Sequence, residues 1–244
     1  MSAPTPENQE LIHSLELLLS NSDLQADMEA LNQLAIDQKL NICFSTSFGV
    51  EDQILTDAIK AANAQQIRLF TLDTGRLFPE TYNLWARTVK RYGIDIQAYY
   101  PSQEQVESYV TEYGINAFYE SVPLRKACCH IRKVEPLKRA LANAHIWISG
   151  LRAEQSSNRQ TVNKVEWDSS FQVIKCQPLL SWTAQQVWDY VHLNNVSYNT
   201  LHDSSFPSIG CAPCTRAVRE GEDFRSGRWW WEDNSQKECG LHRS

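Results

Sequence analysis

Between Leu40 and Tyr100 the chain alternates short apolar runs with helical patterns, and this alternation restricts the fold more than any other feature. "LNICFSTSFG" is an apolar run that ends in a Ser/Thr/Gly turn, and "VEDQILTDAIKAAN" follows with helical spacing. "QIRLFTLDTG" repeats the strand and turn. "PETYNLWARTVKRYG" repeats the helix, with Pro79 in its first turn and Gly93 as its stop. "IDIQAYY", "HIWISG" (145–150) and "FQVIKCQPLL" supply further strands. Strands that alternate with helices predict an α/β fold with a doubly wound, mostly parallel sheet. Ahead of it, apolar residues spaced three and four apart predict helices over 7–20 and 23–38. Two placements suit them, against a partner subunit in a homo-oligomer or capping the sheet. A last helix, "TAQQVWDYVHLNN", precedes an irregular remainder from Val196. The expected organisation is N-terminal helices over 1–38, an α/β domain over 39–195, and a segment over 196–244 packed on that domain.

The 244 residues suffice for a sizeable core, and 42% hydrophobic with 21% charged residues is ordinary for a soluble globular chain. A net charge of −6 argues against bulk affinity for nucleic acid or membrane. "MSAPTPENQELIHSLELLLS" lacks a basic leader and carries Glu7, Glu10 and Glu16, so it is no secretory signal. No segment approaches the roughly 20 apolar residues that span a bilayer. The expected compartment is the cytoplasm, where thiols stay reduced. The seven cysteines therefore need a purpose other than disulfides, and their odd number agrees.

Ligands of doubly wound sheets bind beyond the carboxyl ends of the strands. That rule selects Ser45–Gly49, Asp73–Leu77 and Gly150–Arg159. The first turn offers the hydroxyls of Ser45, Thr46 and Ser47, flexible Gly49 and the free amides of the following helix, a combination that suits phosphate or sulfate. It lacks the Gly-Lys-Ser/Thr of a P-loop. Residues 125–159 hold Arg125, Lys126, Arg132, Lys133, Lys138, Arg139, Arg152 and Arg159 against Glu135 and Glu154. A basic segment beside predicted strand ends, in an acidic protein, suggests a small polyanion as ligand. Lys138 and Arg139 also fit a solvated helix face.

"KACCHIRK" and "SIGCAPCTR" pair a Cys-Cys with a Cys-x-x-Cys about 80 residues later. Cys128, Cys129, Cys211 and Cys214 thus read as four thiolates for zinc or an iron–sulfur cluster. Adjacent cysteines diverge on any regular backbone, so the first pair requires a kink. A redox pair at Cys211 and Cys214 is a third option, although they follow Gly210 in an irregular region. Cys43 and Cys176 lie in apolar strand patterns and read as core residues.

"SFGVED", "LDTGRLFPETY", "CCHIRKVEPLKRAL", "GLRAEQSSNR", "SIGCAPCTR", "GRWWWE" and "KECGLH" occur in this order. Together they resemble the assimilatory adenylyl-sulfate reductases, the iron–sulfur branch of the phosphoadenylyl-sulfate reductase superfamily, from about residue 40 to residue 243. The resemblance implies a fold of the adenine-nucleotide alpha-hydrolase or ATP-pyrophosphatase type. It implies thioredoxin-dependent reduction of adenosine 5′-phosphosulfate to sulfite and AMP in sulfate assimilation, with one 4Fe–4S cluster on Cys128, Cys129, Cys211 and Cys214. Cys239 becomes the nucleophile, on a flexible tail. Ser45, Ser47, Gly49, Asp73, Thr74, Gly75, Leu77, Gly150, Arg152, Arg159, Arg225 and Arg228 become substrate-binding residues, and Lys133 and His242 catalytic ones. The first loop departs from the SGGxDS form that cleaves ATP. The branch acting on the 3′-phosphorylated nucleotide lacks the four cysteines present here, which favours the substrate without that phosphate.

A thiolate nucleophile approaching sulfate and phosphate oxygens meets charge repulsion that preorganised cations offset. His242, three residues after Cys239, and Lys237, two before it, suit a lowered thiol pKa. The same sulfur must then meet a protein reductant, so the tail is expected to close over substrate and open for thioredoxin. Two other readings are the 3′-phosphoadenylyl-sulfate reductase and a zinc-bearing, ATP-pyrophosphatase-like nucleotide transferase.

Overall fold

A computed structural model describes residues 3–19, 23–155 and 162–232. Arg159, Lys237, Cys239 and His242 lie outside them.

Two helices lead, α1 (Pro6–Leu18) and α2 (Leu24–Gln38). Thr5 and Asp23 cap them by accepting from backbone amides of their first turns. The alternating stretch then forms β1 (Ile42–Ser45), α3 (Val50–Ala61), β2 (Ile67–Leu72), α4 (Pro79–Tyr92) and β3 (Ile96–Tyr99). Pro79 opens α4, and Gly93 ends it at φ 57°, where a side chain would be strained. Next come α5 (Gln103–Tyr113), α6 (Val122–Cys129), α7 (Glu135–Leu141), β4 (Ile146–Ile148), β5 (Val165–Asp168), β6 (Val173–Cys176) and α8 (Ala184–Leu193). Thr183 and Gln186 cap α8 reciprocally.

The sheet has six strands in the order β3-β2-β1-β4-β6-β5, and all neighbours are parallel except β5 with β6. The mostly parallel α/β expectation is met. Strand β5 was not foreseen: "VEWD" is too short and too polar to stand out as a strand, and only its antiparallel pairing with β6 defines it.

Both faces of the sheet are covered. On one face Ile42, Phe44, Leu69, Ile146, Ile148, Ile174 and Cys176 join residues of α1, α2, α3 and α8 in the main core. On the other, Cys43, Phe70, Trp147 and Val173 meet Leu137, Ala140 and Leu141 of α7. The period of two sends Cys43 and Cys176 to opposite faces, both buried. Burial pushes each thiol up to about 12, so both are inert core groups. Helix α2 packs on α3 and α1 on β5, so the N-terminal helices cap the sheet within the chain. Among the described residues no helix is long and apolar enough to cross a membrane.

Strand order reverses between β1, whose chain moves outward to β2 and β3, and β4, where it returns. Such a switch opens a crevice at the carboxyl ends of the strands.

Candidate active site

A cavity of about 240 Å³ occupies this crevice. Of the expected residues, Ser45, Ser47, Gly49, Thr74, Leu77, Lys133, Gly150, Arg225 and Arg228 line it. The sequence separates them by up to 183 positions, and the ends of β1, β2 and β4 bring them together.

The β1–α3 turn is held from within. Asp52, in the first turn of α3, accepts from the Ser47 amide at 2.6 Å and the Ser47 hydroxyl at 2.7 Å through Oδ2. Burial, opposed by these hydrogen bonds, pushes the Asp52 carboxyl up to about 6. Gly49 adopts φ −65° and ψ 161°, which any residue can take, so its expected flexibility is not used. The left-handed position is Phe48 at φ 60°, with its amide on Thr46 Oγ1 and its ring stacked on Trp85. The glycine this turn needs is Gly150, at the end of β4. A Cβ there would stand 2.4 Å from Asp52 Oδ1.

In the β2–α4 turn, Asp73 Oδ1 accepts from the Gly75 amide and the Tyr82 hydroxyl, each at 2.8 Å. Gly75 has φ 69°, which explains the glycine. Asp73 and Gly75 shape this turn without lining the cavity. Arg152 is buried, donating to Glu51 Oε1 and to Glu154 Oε2 at 2.8 Å each. It reaches the cavity through Glu51 and itself lines a neighbouring one.

A smaller cavity adjoins, lined by Cys128, Cys129, Cys211 and Cys214 with Arg76, Arg125, Arg132 and Lys133. Cys128 and Cys129 end α6, and the chain continues as a π-helical turn, His130–Val134. The kink expected between the adjacent cysteines is not seen, since both lie on regular α-helix; the wide turn, a feature that recurs at functional sites, follows them. Lys133 rides on it and lines both cavities, as does Cys211. Thr74 Oγ1 lies 3.3 Å from Cys211 Sγ, and Arg132 donates to the Thr74 carbonyl at 2.7 Å. The β2–α4 turn and the cysteines are therefore one mechanical unit. Burial, with Cys211 nearby, pushes the Cys214 thiol up to about 12.

The Trp229–Trp231 run closes the assembly. Trp229 is buried at φ 43° between the guanidinium groups of Arg125 and Arg228, 4.7 and 4.9 Å from its ring centre. Arg125 is fastened to Glu232 through two contacts of 2.6 and 2.9 Å.

Several lining residues escaped the sequence reading, among them Asp52, Trp147, Ser149 and His202. Ser149 Oγ and His202 Nε2 are buried without a hydrogen-bond partner among the described residues, as is Arg228 Nε. Buried polar atoms that line a cavity without protein partners are free to hydrogen-bond an occupant. Ser149 stands next to Gly150 in "HIWISG", its one sequence signal; His202 has none.

The chain matches the phosphoadenosine phosphosulfate reductase domain over residues 41–217. It is 49% identical to the adenosine 5′-phosphosulfate reductase of Allochromatium vinosum over 89% of this chain and 84% of that protein. It is 48% identical to the enzyme of that name from Burkholderia cepacia, over 90% and 89%. Among solved structures, the phosphate complex of phosphoadenylyl-sulfate reductase from Candida auris superposes with a TM-score of 0.68 at 25% identity, covering 89% of this chain and 99% of that one. Yeast FAD synthetase shares the fold, with a TM-score of 0.52 at 13% identity over 86% and 75%. Crevice, strand order and sequence agree: the chain belongs to the phosphoadenosine phosphosulfate reductase family.

Proposed function

We propose that the protein reduces adenosine 5′-phosphosulfate to sulfite and AMP, with thioredoxin as electron donor, for sulfate assimilation. The observation that carries this reading is the shared wall: Cys211 and Lys133 line both the nucleotide-sized cavity and the four-cysteine cavity. Membership of the family and relatives named adenosine 5′-phosphosulfate reductase support it.

Cys128, Cys129, Cys211 and Cys214 would hold a 4Fe–4S cluster. The donor set fits: four sulfurs, with neither carboxylate nor imidazole, face one cavity ringed by cations that offset thiolate charge. Among the described residues no three His, Cys, Asp or Glu side chains gather closely enough for a single metal ion. A polynuclear core takes its ligands further apart. When bound, the cluster supplies a fixed anionic centre that sets the position of Lys133 and the local potential. The two electrons come from thiols.

The Cys239 thiolate attacks the sulfate sulfur; an S–S bond forms, the S–O bond to phosphate breaks, and AMP leaves with the electron pair. A thioredoxin thiolate then attacks Cys239 Sγ, and sulfite leaves with the pair from the broken S–S bond. A second thioredoxin thiol resolves the mixed disulfide, returning Cys239 and leaving thioredoxin oxidised by two electrons. Lys133, Arg225, Arg228 and Arg159 neutralise the phosphosulfate and the departing phosphate. Ser45, Ser47, Gly49, Asp73, Thr74, Gly75, Leu77 and Gly150 shape the nucleotide wall, and Arg152 fixes Glu51 on it. His242 favours the Cys239 thiolate. Residues 1–38, 39–195 and 196–244 serve as helical cap, nucleotide-binding unit and cluster-completing tail. A reducing compartment, the cytoplasm, suits such thiol chemistry.

Anaerobic incubation of the full chain with reduced thioredoxin and each nucleotide, beside a visible spectrum, tests this. Sulfite from adenosine 5′-phosphosulfate and broad charge-transfer absorbance are expected. A colourless protein with stoichiometric zinc and no sulfite release would overturn this reading and support the zinc-bearing nucleotide-transferase one.

A further inference from the structure

The β1–α3 loop occupies the place where a helix N-terminus commonly cradles an anion. Here that place already holds a negative group. Asp52 Oδ2 takes the Ser47 amide and hydroxyl, and its Oδ1 lies against Gly150. Among the described residues lining the cavity, Glu51 and Asp52 are the carboxylates. Glu51 is paired with Arg152 at 2.8 Å. Asp52 is 8% exposed and has no ion-pair partner among the described residues; neutral donors alone hold it. The cations that line the cavity, Lys133, Arg225 and Arg228, come from the π-helical turn and the C-terminal segment, on the cysteine side.

The cavity is thus polarised. A nucleotide with its anionic phosphosulfate on the cationic wall would turn its sugar hydroxyls toward α3. Two buried atoms support occupation from both sides: Ser149 Oγ, next to Gly150, and Arg228 Nε each lack a partner among the described residues. A hydroxyl can donate to a carboxylate, whereas a phosphate on the sugar carries nearly two negative charges and cannot. We propose that Asp52 is a specificity-determining residue: its carboxylate accepts a neutral, hydroxyl-bearing sugar and rejects a nucleotide with a further phosphate at the 3′ position. This deepens the proposed function and rests on it for the identity of the nucleotide.

Binding, which needs no turnover, tests the proposal. Calorimetry on the full chain would compare AMP with adenosine 3′,5′-bisphosphate. Wild type is expected to bind AMP at least tenfold more tightly. Asp52→Asn, which can still accept from Ser47, is expected to shrink that ratio about tenfold. Equal affinities in wild type overturn the proposal whether or not a variant folds. So does an unchanged ratio in folded Asp52→Asn. Sulfite release measured on the same wild-type sample separates the two readings: the expected binding ratio without any turnover would sink the reductase assignment and leave the selectivity of Asp52 standing.

Discussion

Two glycines of one site should respond unequally to the same methyl group. At Gly150 an added Cβ meets Asp52 Oδ1 at 2.4 Å, Glu51 Cβ at 3.1 Å and the Asp52 amide nitrogen at 3.2 Å. The nearest ends a short side chain, and the other two belong to the helix backbone and its first side-chain carbon. Asp52 is buried and tied to Ser47, so relief requires moving the first turn of α3 away from β4. Overpacking of this kind costs ~1–3 kcal/mol. For a chain of this size that corresponds to a fall in Tm of ~2–12 °C. Displacing the β1–α3 loop should also weaken AMP binding ~tenfold or more, since sub-ångström placement governs such sites. At Gly49 the nearest atom to an added Cβ is Ser47 Oγ at 3.5 Å, and φ is −65°. Gly49→Ala should change stability by less than ~1 kcal/mol, the lower unfolded-state entropy of alanine offsetting its poorer capping. Thermal unfolding and calorimetry of both variants decide the matter. If Gly49→Ala proves more damaging than Gly150→Ala, the close approach of β4 to α3 is not what holds the loop.

Two further perturbations probe the surroundings. Glu232→Ala removes the carboxylate that meets the buried Arg125 guanidinium at 2.6 and 2.9 Å; urea unfolding should show a loss of ~1.5–3 kcal/mol, and Arg125→Met/Glu232→Leu should recover most of it. Burial pushes Asp27 up to about 6, above the ~3.9 of an unfolded aspartate, so the folded state holds its proton more tightly and stability falls as pH rises from ~4 to ~6. Asp27→Asn should therefore stabilise the protein by ~1–3 kcal/mol at pH 8 and do nothing at pH 4; equal effects at both pH values would refute the sign.

The sheet was legible because β1, β2, β4 and β6 carry apolar side chains to both faces, and so were the two turns that follow β1 and β2. The π-helical turn after Cys129 was not foreseen, since nothing local distinguishes "HIRKV" from ordinary helix. Helices α5 and α6 went unread: α6 is only 8 residues long, and α5 buries Tyr109 alone, so neither carries a long apolar stripe. Gly49 shows how a motif can mislead. The glycine is conspicuous in the loop, yet the backbone strain sits on Phe48 and the tight contact on Gly150, about 100 residues away. Asp52 was invisible as a site residue because a carboxylate in a first helical turn is ordinary capping chemistry until the fold places it inside a cavity. His202 and Ser149 became visible only as buried atoms without partners.

The most direct measurement is transfer of labelled sulfur from adenosine 5′-phosphosulfate to the protein without thioredoxin, with the label located by peptide mapping. The label is expected on the peptide containing Cys239 and is released as sulfite when reduced thioredoxin is added. A stable labelled adduct that persists in Cys239→Ser would contradict the mechanism.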